Sequence, residues 1–379
     1  MLYDQRGQGY EDSLSPMQFT FTPDQDTPGI SDLTRLAYQG FQWGKNYFGI
    51  AHKTLSTRIL STFLPAPEQK TQPLSPELLQ WLKTAFDQLI ETDWQDAQRG
   101  IYPVSLLFDH PWLDFVRYYP VIWLDLPQMW QRSRQKQYQD MPVEIDPQHY
   151  PRYYLQNFHH QTDGYLSDHS ANLYDLQVEI LFGGTADAMR RRILAPLQQE
   201  LQSTPVGRQP LRILDVACGT GRTLKNLRAA FSQAALYGVD LSTAYLRKAN
   251  QLLSEQPGEL PQLLQANGED LPYLDNYFQG VTSVFLFHEL PPQARQRVIE
   301  QCFRVLQPGG VFVICDSIQA LDSPELQPMM ENFATLFHEP YYRHYIQDDL
   351  GYRLQQVGFH PITTQRHFMS KYWVARKPL

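Results

Sequence analysis

The apolar residues of this chain keep two different rhythms. Through roughly the first half they recur every three or four positions, as in helices with one buried face, and beyond residue 210 they gather into short continuous runs. Helical spacing begins near Ser31, after a mostly polar stretch, 1–30, rich in Pro, Asp and Gln, that reads as an extended lead-in. Ser75-Pro76-Glu77 predicts a helix start, and Leu78, Leu79, Leu82, Phe86, Leu89 and Ile90 then make one apolar stripe suited to a core. A further helix is predicted over Pro111 to Tyr138, with an aromatic stripe that includes Trp112, Phe115, Tyr119, Trp123 and Trp130. Such a stripe either packs between helices or lines a channel for an apolar ligand, and packing is the commoner use. A third helical pattern from Asn172 is interrupted at Gly183-Gly184, and Gln202 to Pro210 has linker composition.

After the linker, strand-like runs at Leu211–Ala217, Ala235–Asp240, Gln262–Gln265, Gly280–Phe287 and Val311–Cys315 alternate with helical stretches. Alternation of this kind predicts a parallel sheet with helices on both faces and a ligand site at the carboxyl ends of the strands. Two more runs, Phe359–Thr364 and His367–Ala375, close the chain. Tyr150 to Ser170 follows neither rhythm. It is aromatic and polar together, and reads equally as a site wall or as an irregular linker with its polar groups satisfied.

Composition narrows the picture further. With 42% hydrophobic residues and 13% aromatics, 379 residues can build sizeable cores. The formal charge of −8 sets the electrostatics against a nucleic-acid substrate, although Arg190 to Arg192 is a local basic run. No run of eighteen apolar residues predicts a transmembrane helix, and the N-terminus has no apolar targeting core, which leaves peripheral membrane contact open. Cys218, Cys302 and Cys315 have neither disulfide-framework nor metal spacing and fit a reducing, cytoplasmic setting.

Candidate chemistry centres on Leu211 to Leu224, LRILDVACGTGRTL, a strand running into a glycine turn and a helix. Asp215 is a carboxylate near a strand's carboxyl end, costly unless it binds something. Gly219 and Gly221 let the backbone turn sharply and approach a ligand. A dinucleotide fingerprint requires a small residue where Leu224 stands, and Asp215 would repel a pyrophosphate. Asp215 could instead pair with the amino and sulfonium side of S-adenosylmethionine, and Asp240, ending the second strand, suits the two ribose hydroxyls.

At these residues the chain resembles class I methyltransferases in motif I and the acidic loop. DVACGTG is especially similar to the DVAGGTG of the quinone-biosynthesis C-methyltransferases, in which Ala217 likewise replaces the usual first glycine. Tyr174-Asp175 resembles the pair that opens that family's helix over the cofactor. Ala266 to Pro272 resembles its D-A-E-x-L-P segment, with Asn267 where Asp is usual and an oxygen still able to accept from the adenine amine. Asp275–Phe278 resembles D-N-S-F, and Leu306–Gly310 the L-x-P-G-G turn before the fifth strand.

The resemblance implies a Rossmann-like sheet, doubly wound with one antiparallel strand, preceded by a mainly helical N-terminal domain. Composition and periodicity set off a lead-in (1–30) and a helical domain (31–171), and the resemblance covers a methyltransferase domain (172–379) with a helical lid (172–201) and a core (211–379). The resemblance also implies S-adenosylmethionine as cofactor, bound by Asp215, Ala217, Gly219, Gly221, Asp240, Leu241, Asn267, Gly268, Glu269 and Phe285. His288 follows the fourth strand, where it either sits near the transferred methyl or is satisfied by loop backbone. His159, His160 and His169 could serve the acceptor side if the aromatic loop covers the strand ends, with His159 and His169 joining His288 as catalytic candidates.

No metal is expected. His288-Glu289 lacks a second His at 292, where Pro stands, and the adjacent His159 and His160 point apart, so a site would need ligands from elsewhere. The expected acceptor is an apolar or aromatic small molecule, quinone- or lipid-like. The alternatives are a protein acceptor docked by the N-terminal domain and a non-catalytic assembly factor that binds the donor.

Overall fold

The computed structural model describes residues 28–63, 72–142, 145–202, 210–255 and 257–379. Most of the expected lead-in (1–27) and of the linker (203–209) lies outside the described residues. Three long helices come first: α1 (Pro28–Phe63), α2 (Pro76–Gln98) and α3 (Trp112–Gln135). Ser75 caps α2, its side chain accepting from the Leu78 N–H at 3.2 Å, with Pro76 at the first position, where the missing N–H costs nothing. Of the stripe on α2, Leu78, Phe86, Leu89 and Ile90 are buried, whereas Leu79 faces outward. The aromatic stripe of α3 packs between helices: Phe115 and Tyr119 pack against Phe48 of α1, and Ile122 meets Leu173 and Leu176.

The segment expected to form one interrupted helix forms three, α4 (Asp168–Leu181), α5 (Ala186–Arg191) and α6 (Leu194–Gln202). The first begins four residues before Asn172 because Ser167 caps it, accepting from the Ser170 N–H at 3.1 Å. Gly183 and Gly184 follow it at φ 58° and 81°, a left-handed pair that glycine adopts at little cost.

Strand and helix then alternate: β1 (Arg212–Val216), α7 (Arg222–Ala230), β2 (Ala235–Asp240), α8 (Thr243–Ser254), β3 (Gln262–Gln265), β4 (Phe278–Val284), α9 (Pro292–Val305) and β5 (Leu306–Ser317). Helices α10 (Gln327–Leu336), α11 (Tyr342–Tyr345) and α12 (Leu350–Val357) precede the hairpin β6 (Ile362–His367) and β7 (Ser370–Arg376). α11 and α12 are separate, and Asp349 caps the second, its side chain accepting from the Tyr352 N–H.

The sheet order is β3-β2-β1-β4-β5-β7-β6, parallel except for β7, which runs antiparallel to both neighbours. This is the doubly wound sheet with one antiparallel strand that the resemblance implies. Both faces are covered, so β5 alternates between two cores: Phe312 and Ile314 in one, Val311, Val313 and Cys315 in the other. The N-terminal helices share the second core, where Phe86, Leu89, Ile90 and Trp94 join the same cluster as Ile213 and Val374.

A buried polar knot reinforces that junction. Arg191 of α5 donates from Nε and Nη2 to the two oxygens of Asp93 on α2 at 3.0 and 2.6 Å. Tyr102 donates to Asp93 Oδ1 at 2.6 Å, and Tyr38 of α1 donates to Oδ2. The nearby carboxylate, after burial, raises both tyrosine hydroxyls well above their usual range, and Arg191 is held as a cation.

Candidate active site

β1 ends at Val216 and the chain turns through Ala217, Gly219 and Gly221, all left-handed (φ 60°, 54° and 83°). The two glycines serve different ends. A Cβ on Gly221 would lie 3.0 Å from the Ala249 Cβ, so this glycine seats α7 against α8. A Cβ on Gly219 would meet only Tyr245, at 4.0 Å, because the missing side chain leaves space open above the turn. Leu224 is fully buried at the place where a dinucleotide site needs a small residue, and Gly238 of β2 makes room for it: a Cβ there would approach Leu224 to 2.6 Å.

Above the turn lies a cavity with about 820 Å³ of free space, mouth included. Of the ten residues expected to bind the donor, Ala217, Gly219, Asp240, Leu241, Asn267, Gly268 and Phe285 line it. Gly221, Asp215 and Glu269 stand outside its wall. Asp215 lies beneath, accepting from Thr282 Oγ1 at 2.7 Å, and burial raises its pKa to about 7. Glu269 points to Arg297 and accepts from Tyr153 Oη at 2.5 Å. Asn267 uses its side-chain oxygen to accept from the Glu269 N–H at 3.0 Å, retaining a second lone pair.

Asp240 is a half-buried carboxylate of the wall. Its oxygens accept from the Gly219 and Ser242 N–H groups, each at 2.8 Å. Burial pushes its pKa up to about 6 despite those bonds. The opposite wall is aromatic. Tyr153, Tyr154, Phe158 and Tyr165 come from the Tyr150–Ser170 loop, Tyr174 from α4 and Tyr245 from α8. Thr220 fastens α4 to the turn by donating to Asp175 at 2.8 Å.

A second cavity, about 1840 Å³ by the same measure, lies between α1, α2, α4 and α10. Its walls are mostly apolar, with Ile50, Leu74, Phe333, Phe337 and Met329 among them, and it shares Tyr174, Phe285 and Glu289 with the first cavity. Where the two meet stand the polar groups His159, His288 and Glu289.

The expected catalytic histidines separate here. His288 donates through Nδ1 to Asp316 Oδ1 at 2.7 Å. Burial disfavours its cation, but Asp316 outweighs burial and raises the pKa to about 9. His159 Nε2 lies 3.0 Å from Glu339 Oε1 and 3.8 Å from Glu289 Oε1, and against the same burial penalty those carboxylates raise it to about 10. His169 lines neither cavity; it is half exposed, 3.8 Å from Asp125. His160, next to His159, turns the other way toward Tyr138 and His338, and burial lowers its pKa to about 4. The loop thus offers its aromatics to the smaller cavity and only His159 to the larger.

Residues 213–310 match the family described as Methyltransferase domain. The chain is 33% identical over 153 residues to an uncharacterized methyltransferase of Synechocystis, covering 39% of this chain and 66% of that one. It is 29% identical over 227 residues to a demethylmenaquinone methyltransferase of Lactiplantibacillus plantarum, covering 55% and 91% respectively. A ubiquinone/menaquinone biosynthesis C-methyltransferase of Methylobacterium nodulans is 27% identical over 165 residues, covering 43% and 62%. This chain carries a class I S-adenosylmethionine-dependent methyltransferase domain. It spans less than two thirds of the length of the first and third of these relatives (66% and 62%) and most of the second.

The smaller cavity of the methyltransferase domain fits this donor. Among the described residues its wall contains two carboxylates, Asp240 and Glu289, and no Lys, Arg or His, which suits a sulfonium and opposes a pyrophosphate. Three residues at the junction were missed by the sequence reading. Glu289 was visible only as a failed zinc motif and Asp316 only as the end of a strand. Glu339 lies between α10 and α11 without any local signal.

Proposed function

We propose that this chain transfers the methyl group of S-adenosylmethionine to an apolar small molecule held in the larger cavity. The observation that carries the reading is the shared wall of Tyr174, Phe285 and Glu289, across which an acceptor in one cavity reaches a donor in the other. The relatives named for demethylmenaquinone and for ubiquinone/menaquinone support a quinone- or lipid-like acceptor.

Asp240 is assigned to the ribose hydroxyls, Asn267 and Gly268 to the adenine edge, and the Ala217–Gly219 turn, backed by Asp215, to the methionine side. Leu241 and Phe285 complete the wall, Glu269 braces Asn267, and Gly221 acts through packing. The bound donor supplies an electrophilic methyl on sulfur. The protein's part is to align the acceptor and keep water out, which the loop tyrosines do from one side and Phe285 from the other. Asp316 holds Nδ1 of His288 and keeps the ring protonated near neutral pH, so Nε2–H donates to an acceptor oxygen in the cavity that the ring lines, and the ring takes a proton only in its neutral form above about pH 9. His169, half exposed and away from both cavities, receives no catalytic role.

Donor labelled in its methyl group, incubated with the protein and a cell extract, tests the reading. A labelled product that partitions into organic solvent is the expected outcome. Label confined to protein would replace it with a protein acceptor, and donor binding without any labelled product would favour a non-catalytic role.

A further inference from the structure

The junction between the two cavities brings together three side chains distant in sequence: His159 of the loop, Glu289 after β4, and Glu339 between α10 and α11. One imidazole nitrogen and one oxygen from each carboxylate all lie within 4.8 Å of one another. Two ligand atoms about 2.0–2.2 Å from one ion stand no more than about 4.4 Å apart, so the 3.0 and 3.8 Å separations about His159 Nε2 are already those of a shared ion.

Glu339 supplies a second, independent observation. Its side chain is wholly buried, and neither carboxylate oxygen has a hydrogen-bond partner. His159 Nε2 lies 3.0 Å from Oε1, where its proton can be exchanged for a cation shared by the two, and Oε2 has no partner at all. A buried carboxylate left without hydrogen bonds is costly, and a cation beside it removes that cost. Glu289 is braced as metal-binding carboxylates are, by a hydrogen bond from Tyr165 Oη at 2.5 Å.

We propose that His159, Glu289 and Glu339 bind one first-row divalent cation, Mn²⁺, Fe²⁺ or Zn²⁺, with its open side toward the larger cavity. Three protein ligands with a vacant position are the arrangement of catalytic rather than structural metal sites, and mixed imidazole and carboxylate ligation selects these ions over Mg²⁺ and Ca²⁺. His159 and Glu289 line the larger cavity, so an acceptor oxygen there can occupy the vacant position. The cation then favours the deprotonated acceptor and fixes its orientation toward the donor. This purpose rests on the reading of the larger cavity as the acceptor site. Binding of the ion does not.

The test uses the whole chain, stripped with EDTA and 1,10-phenanthroline, equilibrated with MnCl₂ or ZnCl₂, and assayed for retained metal by mass spectrometry. The wild type should retain about one ion per chain. Glu339→Gln and Glu289→Gln should each raise the dissociation constant at least about tenfold, while His149→Gln, at an exposed histidine, should not change it. Thermal shift with S-adenosylhomocysteine on the same samples reports whether each variant is folded, and Glu289→Gln keeps the test decisive if Glu339→Gln does not fold. A wild type that retains no more ion than the variants overturns the proposal and leaves a buried ion pair only. With S-adenosylhomocysteine binding intact, that result strikes the metal site alone, whereas loss of S-adenosylhomocysteine binding by the wild type would strike the donor assignment.

Discussion

Replacing Asp240 by Asn removes the charge proposed to hold the donor's ribose, at the cost of one of its two backbone hydrogen bonds. The carboxylate accepts backbone N–H groups from Gly219 and Ser242 at 2.8 Å each, so Asp240→Ala would orphan both and confuse stability with binding. Asn keeps one acceptor and the shape. Two ribose hydroxyls donating to a carboxylate gain roughly 1.5–3 kcal/mol each, against about 0.5–1.5 for neutral partners, and the amide nitrogen cannot accept at all. The expected loss is about 2–3 kcal/mol, or roughly thirty- to 150-fold in affinity.

The pH dependence is a second reading of the same charge. Burial raises the Asp240 carboxyl to about 6, and the hydrogen bonds proposed from the ribose hydroxyls would favour its ionised form. Wild-type affinity should therefore be level above about pH 7 and fall by up to about tenfold per unit below 6, approaching that of Asp240→Asn, which should show no such fall. Folding has the opposite sign. A carboxyl raised above its unfolded value near 3.9 makes the folded state more stable as pH drops from about 6 toward 4, so the lost affinity cannot be assigned to unfolding through this group. Calorimetry with S-adenosylhomocysteine from about pH 8 to pH 5 measures both effects. An Asn variant within about threefold of wild type near pH 7.5, or a flat wild-type profile, would refute the assignment.

Gly219→Val should abolish donor binding in a protein with an unchanged circular-dichroism spectrum, since φ of 54° disfavours a branched residue and its side chain would enter the cavity; retained calorimetric binding would contradict this. His288→Gln should lower turnover at least about tenfold while donor affinity stays within about twofold, and equal loss of both would make His288 a binding residue. S-adenosylhomocysteine at about a hundred times its dissociation constant should add about 2.7 kcal/mol of stability in a denaturation assay, and NAD should add none; stabilisation by NAD would overturn the reading of the turn. Asp93→Asn should destabilise the fold by about 3–5 kcal/mol, because it leaves the buried Arg191 cation without its partner, and urea unfolding would expose any smaller effect.

Local chemistry made much of this protein legible before its structure. The run Leu211–Val216, the turn at Gly219 and Gly221, and the acid ending the next strand are consecutive features whose geometry is set by neighbours in sequence. A strand, a left-handed glycine and a helix cap are each decided within a few residues, so much of the wall of the smaller cavity could be named. Helix existence was equally local, as Ser75 shows; helix length was not, since α4 and α5 end where backbone and neighbours decide.

Only the tertiary structure decided what happens between distant segments. Four histidines in two stretches looked alike by type, yet packing sent His159 to the cavity junction, turned His160 toward Tyr138 and left His169 half exposed. The N-terminal helices, readable singly as amphipathic, became part of the sheet's own core and formed a wall of the larger cavity. Asp316 behind His288 and Glu339 beside His159 carry no local signature, because a carboxylate's role depends on burial and on the partner brought to it. Both depend on contacts spanning between 28 and 180 residues of chain, which periodicity and short motifs, reaching a turn or two of backbone, do not encode.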